Sequence, residues 1–279
     1  MSIKVTPQGA VGAEVSNIDL NYLDDETFAE LREAYARHSV LFFHGQQLTP
    51  EAHINFAQRW GVINVNRFFT PVENYPQIAE VRKEPEQKFN IGGGWHTDHS
   101  YDQIPALGSL LYSKEVPLMG GDTLFASCAA AFDTLSEGIK TTLRSLRAVH
   151  SSRHVFGKTA PIPDDMSGLF ANADQATQDA EHPVVIRHPL SGREVLYVKP
   201  GFTTHFVGWT VQESEPLLEY LYRHIGRPEH TCRFHWQAGS LAFWDNRATW
   251  HLAVNDYHGE RRLMHRITVE GESLSAASA

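Results

Sequence analysis

Cysteine is nearly missing from this chain: Cys128 and Cys232 stand far apart and form no Cys-x-x-Cys pair. A disulfide framework is therefore excluded, and both residues are expected to serve as small buried hydrophobes in a reducing compartment. Positive charge is also in short supply, with 24 Lys and Arg against 33 Asp and Glu and a net charge of −9. A non-specific nucleic-acid binder needs a basic stripe, so no nucleic-acid partner is expected. No run of ~18 apolar residues is available to span a membrane. Residues 1–15 lack the apolar core of a signal peptide, which makes the cytoplasm the expected location. There is no Gly-x-Ser-x-Gly elbow and no phosphate-binding P-loop, so serine hydrolases and nucleotide enzymes rank low. No internal repeat of roughly 20 to 50 residues occurs. The only low-complexity stretch is 273–279, expected to be a flexible tail after a single domain over 1–272.

What is present is an ordinary globular composition, 42% hydrophobic and 20% charged over 279 residues, enough for a sizeable core. Residues 5–20 suggest two short strands around a turn. Asp24 or Asp25 caps a helix carrying Phe28, Leu31 and Tyr35, and residues 39–43 form a buried strand. Thr49-Pro50 opens a second helix with Ile54, Ala57 and Trp60 on one stripe. Residues 64–90, polar and broken by Pro71, Pro76 and Pro85, are expected to be a long loop. Strands follow near 107–112 and after the Gly120-Gly121 turn, then a helix over 135–146 and an excursion over 157–182. The strands 184–186 and 195–198 make a hairpin. Thr210 and Glu213 form a capping box, although Pro216 argues for a start at Ser214. Three further strands, 232–236, 240–244 and 263–269, complete a pattern of many short strands with few helices. That pattern points to an antiparallel β core of sandwich or jelly-roll type with helices outside.

The chemistry concentrates in Gly92-Gly93-Gly94-Trp95-His96-Thr97-Asp98. Two apart on an extended segment, His96 and Asp98 leave from one face, supplying an imidazole and a carboxylate suited to a divalent transition metal. A buried hydrogen-bonded pair would satisfy the same spacing. A second His-x-acid, His258-Gly259-Glu260, lies among turn residues and reads as a solvated loop. Late in the chain, Trp244-Asp245-Asn246-Arg247 leads to His251, which could complete a ligand set or be a satisfied core histidine. Arg262 and Arg266 share one face of a strand with Met264. Buried there, they need anions; on an edge, they would be solvated.

Taken together, Trp95-His96-Thr97-Asp98, Gly120-Gly121-Asp122-Thr123, Trp244-Asp245-Asn246-Arg247 with His251, and Arg262 with Arg266 resemble the taurine/2,4-D dioxygenase family, over residues 5–270. The resemblance implies an α+β fold, a double-stranded β-helix of jelly-roll or cupin type with flanking helices. It implies an Fe(II)- and 2-oxoglutarate-dependent oxygenase that uses O2. His96, Asp98 and His251 would be the iron ligands, Thr123 and Arg262 would hold 2-oxoglutarate, and Arg266 would meet the acidic head of the prime substrate. Phe156 and Phe202 would line the substrate pocket. Asn66, Phe69 and Gly92 stand where taurine-specific members place polar groups, which argues against taurine. An alkylsulfate, another sulfonate or an aryloxyalkanoate is expected instead, with C–O or C–S cleavage following hydroxylation. Residues 150–157 look closer to the phenoxypropionate-type members. A homo-oligomer, dimer or tetramer, is expected. The rival classes are a zinc hydrolase on the same ligands and a non-catalytic β-sandwich binding module.

Overall fold

The computed structural model describes residues 2–158, 160 and 172–277. The chain opens with an antiparallel pair, β1 (Lys4–Pro7) and β2 (Ala13–Ser16). Helix α1 (Asp25–His38) starts at Asp24, whose carboxylate accepts from the Thr27 amide, and ends at Ser39 in the left-handed conformation. The four residues of β3 (Val40–Phe43) are all buried. Helix α2 (Pro50–Trp60) has Thr49 as its cap and proline in its first turn, where the missing N–H goes unnoticed.

Beyond α2 the expected long loop is corrected. Residues 64–90 contain β4 (Ile63–Asn64), β5 (Pro71–Val72) and the nine-residue β6 (Tyr75–Lys83). Pro76 misleads because it sits near the strand start, outside the ladder that pairs Ala79–Lys83 with a later strand. Next come β7 (Gly108–Glu115) and β8 (Thr123–Ser127). The expected helix over 135–146 is α4 (Glu137–Arg144), and a short helix that was not expected, α3 (Cys128–Asp133), precedes it. Of the 157–182 excursion, residues 159 and 161–171 lie outside the described residues. Around it stand β9 (Arg147–Ser151), the short α5 (Arg153–Phe156) and β10 (Asp179–Pro183), which pairs with β9.

The hairpin is present as β11 (Val185–Arg187) and β12 (Glu194–Leu196), followed by β13 (Thr203–Phe206). Helix α6 (Val211–Ile225) begins at Thr210, not Ser214: the capping box is complete and Pro216 is accommodated inside the helix. The last strands are β14 (Thr231–Phe234), β15 (Leu241–Asp245), β16 (Thr249–Ala253), β17 (Arg262–Val269) and β18 (Ser275–Ala276). The tail is also corrected. Ser275 and Ala276 pair with Arg187 and Ile186, and Ala277 is buried, so the chain is docked through Ala277 rather than frayed from 273.

These strands make a double-stranded β-helix. A nine-stranded sheet runs β1-β2-β3-β15-β7-β17-β6-β5 with β4 on β17, and it faces the three-stranded sheet β14-β8-β16. Between the two, Phe42, Trp244 and Met264 from the large sheet meet Phe125 and Phe234 from the small one, with Phe42 and Phe234 stacked at 4.3 Å. The outer face of the large sheet is covered by α1 and α2 through Tyr35, Trp60 and Phe243. The hairpin, α3 and α6 cover the other side with Leu221, Ile225 and Trp250. Cys128 and Cys232 are free and buried. No helix among the described residues is long and apolar enough to cross a membrane.

One buried polar group in α2 makes stability depend on pH. His53 is 1% exposed, and both ring nitrogens lack a hydrogen-bond partner among the described residues. Burial, aided by His265 and Lys114, pushes its pKa from the ordinary 6.5 down to about 3. Between those values the unfolded chain binds a proton that the folded chain refuses, so stability is lost as pH falls below 6.5. At pH 5 this group alone removes about 2 kcal/mol. Urea unfolding at pH 7.5 and pH 5 is expected to differ by about that much less in His53→Phe than in the unmodified chain. An unchanged pH dependence would mean that His53 is protonated in the folded state.

Candidate metal and substrate site

His96 and His251 are brought together by main chain before any side chain acts. The 92–98 segment runs antiparallel to β16, and the pair forms a two-way bridge: His96 N donates to His251 O at 3.0 Å and His251 N to His96 O at 2.8 Å. Their rings lie 4.0 Å apart, centroid to centroid. Asp98, two positions on, points the same way, and one potential ligand atom from each of the three lies within 4.8 Å of the others. His96 Nδ1–H donates to Gly94 O at 2.8 Å, which leaves Nε2 with its lone pair for a metal. The donor set, two imidazoles and a carboxylate, is that of a facial triad with open positions, which suits Fe(II).

Neighbours fix the carboxylate. Ser109 Oγ donates to Asp98 Oδ2 at 2.8 Å, and Arg266 Nη1 donates to Oδ1 at 3.2 Å. Ser109 Oγ accepts from Asn246 Nδ2 at 3.0 Å, and Asn246 Oδ1 accepts from Trp244 Nε1 at 2.9 Å. Thr97 closes the circuit by donating to Asn246 O at 2.8 Å. The turn at 245–247 thus grips the His96–Asp98 segment from behind. Burial is the largest influence on all three site residues. It lowers the pKa of His96, and that of His251 much further with His96 alongside. For Asp98 burial works upward, but Arg266 reverses it and holds the carboxyl below its usual range. All three therefore stand deprotonated, as metal ligands must.

Next to the trio lies a small cavity of about 40 Å³ lined by His96, His251, Thr123, Arg262 and Arg266. Arg262 is 5% exposed, and its Nε and Nη2 have no hydrogen-bond partner among the described residues. Its guanidinium lies 5.6 Å from the Trp236 ring centroid, and Trp236 Nε1 donates to Thr123 Oγ1 at 2.9 Å. A buried cation with idle N–H groups is costly unless an anion completes it. A dicarboxylate with one end on the metal and the other on Arg262 meets that need.

A larger cavity of about 280 Å³ opens on the other side of His96 and Asp98. Asn66, Phe69, Phe156, Phe202 and Arg266, all singled out from sequence, line it, so the structure gathers every candidate residue into two adjoining cavities. Phe68 stacks on Phe156 at 4.6 Å, and Tyr101 meets Phe202 edge-on at 5.0 Å. Asn66 Oδ1 accepts from the amides of Phe68 and Phe69. Arg266 lies over Phe69 at 4.6 Å and borders both cavities. Sequence reasoning missed Ser109 and Trp236, which carry no local signal. It also gave no task to Asn246, although the tetrapeptide holding it was conspicuous. Asp245 braces the same turn from within the protein: Arg247 binds it through two nitrogens at 2.9 and 2.7 Å, and His188 donates to it at 3.0 Å.

Comparison with known proteins adds to this geometry. The profile described as "Taurine catabolism dioxygenase TauD, TfdA family" matches residues 3–268. An "Alkylsulfatase" of Acinetobacter baylyi is 35% identical over 96% of this chain and 85% of its own length. An "Alpha-ketoglutarate-dependent sulfate ester dioxygenase" of Pseudomonas putida is 33% identical over 95% of this chain and 88% of its own. The crystal structure of a putative alpha-ketoglutarate-dependent taurine dioxygenase from Burkholderia xenovorans superposes with a TM-score of 0.84. It has 35% identity and covers 99% of this chain and 95% of that one.

Gly92 yields a direct test of the geometry. Its φ of +78° favours glycine, and a Cβ there would lie 2.9 Å from His96 Cε1. Gly92→Ala is expected to tilt the His96 ring and weaken divalent-metal binding about 10- to 100-fold, measured by metal titration of the apoprotein. Unchanged affinity would place His96 outside the metal's reach.

Proposed function

Since the chain belongs to the TauD, TfdA family and is an Fe(II)- and 2-oxoglutarate-dependent dioxygenase, we propose that His96, Asp98 and His251 hold the ferrous ion. In the same reading, Arg262 and Thr123 hold 2-oxoglutarate, with Arg262 on its distal carboxylate. The observation that carries this is the convergence of three donors within 4.8 Å beside a buried guanidinium with idle N–H groups. A zinc hydrolase would have no use for that second cation, and a binding module would need neither.

When bound, ferrous iron with 2-oxoglutarate and O2 supplies oxidative decarboxylation to succinate and CO2, coupled to hydroxylation of a substrate C–H. The chain's own residues do the rest. Asp98 stays ionised, held by Ser109 and Arg266. Arg262 neutralises the far end of the cosubstrate. Phe69, Phe156 and Phe202 exclude water and receive an apolar chain. Arg266 has Nη1 on Asp98 and borders the cavity, so it sets its positive charge beside the anionic head of a substrate. Asn66, whose oxygen is already used by two amides, can offer its NH2 to the same cavity.

These donors above an aromatic wall favour an organic sulfate ester, with sulfonates and aryloxyalkanoates as further members of the class. The names of the two relatives, alkylsulfatase and sulfate ester dioxygenase, support that order. Hydroxylation of the carbon bearing the sulfate oxygen gives an adduct that collapses to an aldehyde and sulfate, breaking the C–O bond. With a sulfonate the same step releases sulfite through C–S cleavage.

Anaerobic addition of Fe(II) and 2-oxoglutarate to the apoprotein is expected to produce a visible charge-transfer band, and alkyl sulfates to yield sulfate and succinate only when O2 is admitted. Asp98→Ala is expected to lose both the band and turnover while remaining folded; full activity in that variant would end the ligand assignment. Arg262→Ala is expected to raise the 2-oxoglutarate KM by a factor corresponding to about 2–5 kcal/mol. An unchanged KM would move the clamp elsewhere.

A further inference from the structure

His99 follows directly on Asp98 and lines the 280 Å³ cavity, yet the chemistry above gives it no task. Its backbone is left-handed, with φ 58°, which is uncommon for a residue with a side chain. The residue is 2% exposed. Nδ1 lies 3.0 Å from Asp102 Oδ2, and Asp102 Oδ1 accepts from Arg67 Nη2 at 2.7 Å. The Asp102 main chain is tied down as well, its carbonyl accepting from His182 Nε2 at 3.1 Å. Nε2 of His99 has no partner among the described residues and is not among the polar atoms sealed from solvent, so it opens on the cavity.

The anchor settles which way the ring works. A carboxylate already bound by an arginine can only accept, so in the neutral ring the proton sits on Nδ1 and Nε2 carries a bare lone pair. The Arg266 cation and the Asn66 amide, which line the same cavity, suit an anionic head. Nε2 is an acceptor and suits the opposite partner. Resting on the dioxygenase reading above, we propose that His99 is a specificity-determining residue. It accepts a hydrogen bond from a hydroxyl or N–H group that the prime substrate carries in addition to its anionic head. The substrate class narrows accordingly, from a plain alkyl sulfate or sulfonate to a hydroxylated or amine-bearing one.

The test uses the protein loaded anaerobically with Fe(II) and 2-oxoglutarate, and measures binding by calorimetry. The probes are matched pairs: hexyl sulfate against its hydroxyl- and amino-substituted forms at each chain position, and the corresponding hexanesulfonates. At least one substituted member is expected to bind about 10- to 100-fold more tightly than its parent, the range for satisfying a buried acceptor rather than stranding it. His99→Leu should erase that preference while the charge-transfer band and the binding of the parent compounds remain. Asp102→Asn can donate to Nδ1 and reverse the tautomer, so it should favour an ether or keto group at the same position. In 15N spectra of the histidine-labelled protein, His99 should show a protonated Nδ1 and a bare Nε2. Equal affinity within every pair, no binding by any member, a preference that survives His99→Leu, or a protonated Nε2 would each overturn the proposal. Absence of the charge-transfer band in the unmodified protein is a different failure, one that removes the iron and cosubstrate assignment beneath it.

Discussion

Two main-chain hydrogen bonds between His96 and His251 are the constraint on which the rest depends. They weld the glycine-rich segment to β16, and through β16 to β8, whose first residue is Thr123. Once the two backbones are paired, both imidazoles must leave side by side, and strand periodicity adds Asp98 to them. The glycines upstream follow from the same closeness, since the Ala253 amide donates to Gly92 O and leaves no room for a Cβ beside His96. Metal ligands held by strand pairing are better fixed than ligands on a free loop, because moving one would break a ladder.

Arg262 and Arg266 share a strand and a face, and their surroundings assign them different work. Arg266 is already paired with Asp98, which lowers the penalty of its burial and keeps the carboxylate charged. Arg262 has no carboxylate within ion-pair distance among the described residues; burial pushes its pKa down, opposed by Tyr257 and Asp122. An unpaired buried guanidinium is tolerated where a ligand is meant to complete it. The fully buried Asp245 shows the complementary case, with Arg247 and His188 meeting its charge from within the protein. That pair-and-brace arrangement anchors the 245–247 turn, and the turn in its own right holds Ser109 and Thr97.

Much of this was legible in the residues. Val40–Phe43 and Leu241–Asp245 are buried throughout and read as strands, and the caps at Asp24 and Thr49 read as helix starts. His96 and Asp98 were suggested by spacing, but joining them to His251 and Arg262 needed the ordered set of four motifs. β6 was hidden because Pro76 and its charges look like loop, and its pairing with β17 begins only at Ala79. Ser109, Trp236 and the task of His99 were hidden for another reason. Each acts through a partner fixed by the register of remote strands or by a left-handed turn, and neither leaves a mark in the local sequence. Pro216 shows the limit of a rule applied alone, since a complete capping box outweighed one missing hydrogen bond.

The place of β17 has a consequence for how the molecule is made. It lies between β7 and β6 in the middle of the large sheet and also receives β4, yet it leaves the ribosome after every other strand of that sheet. Until then β6 and β7 stand with open hydrogen-bonding edges, and the nascent chain cannot seal its interior. Closure of the large sheet therefore waits on its last-made strand and is dominated by distant pairings, which fold slowly. An interrupted chain ending before residue 262 would carry the sticky edges that chaperones hold and aggregates grow from.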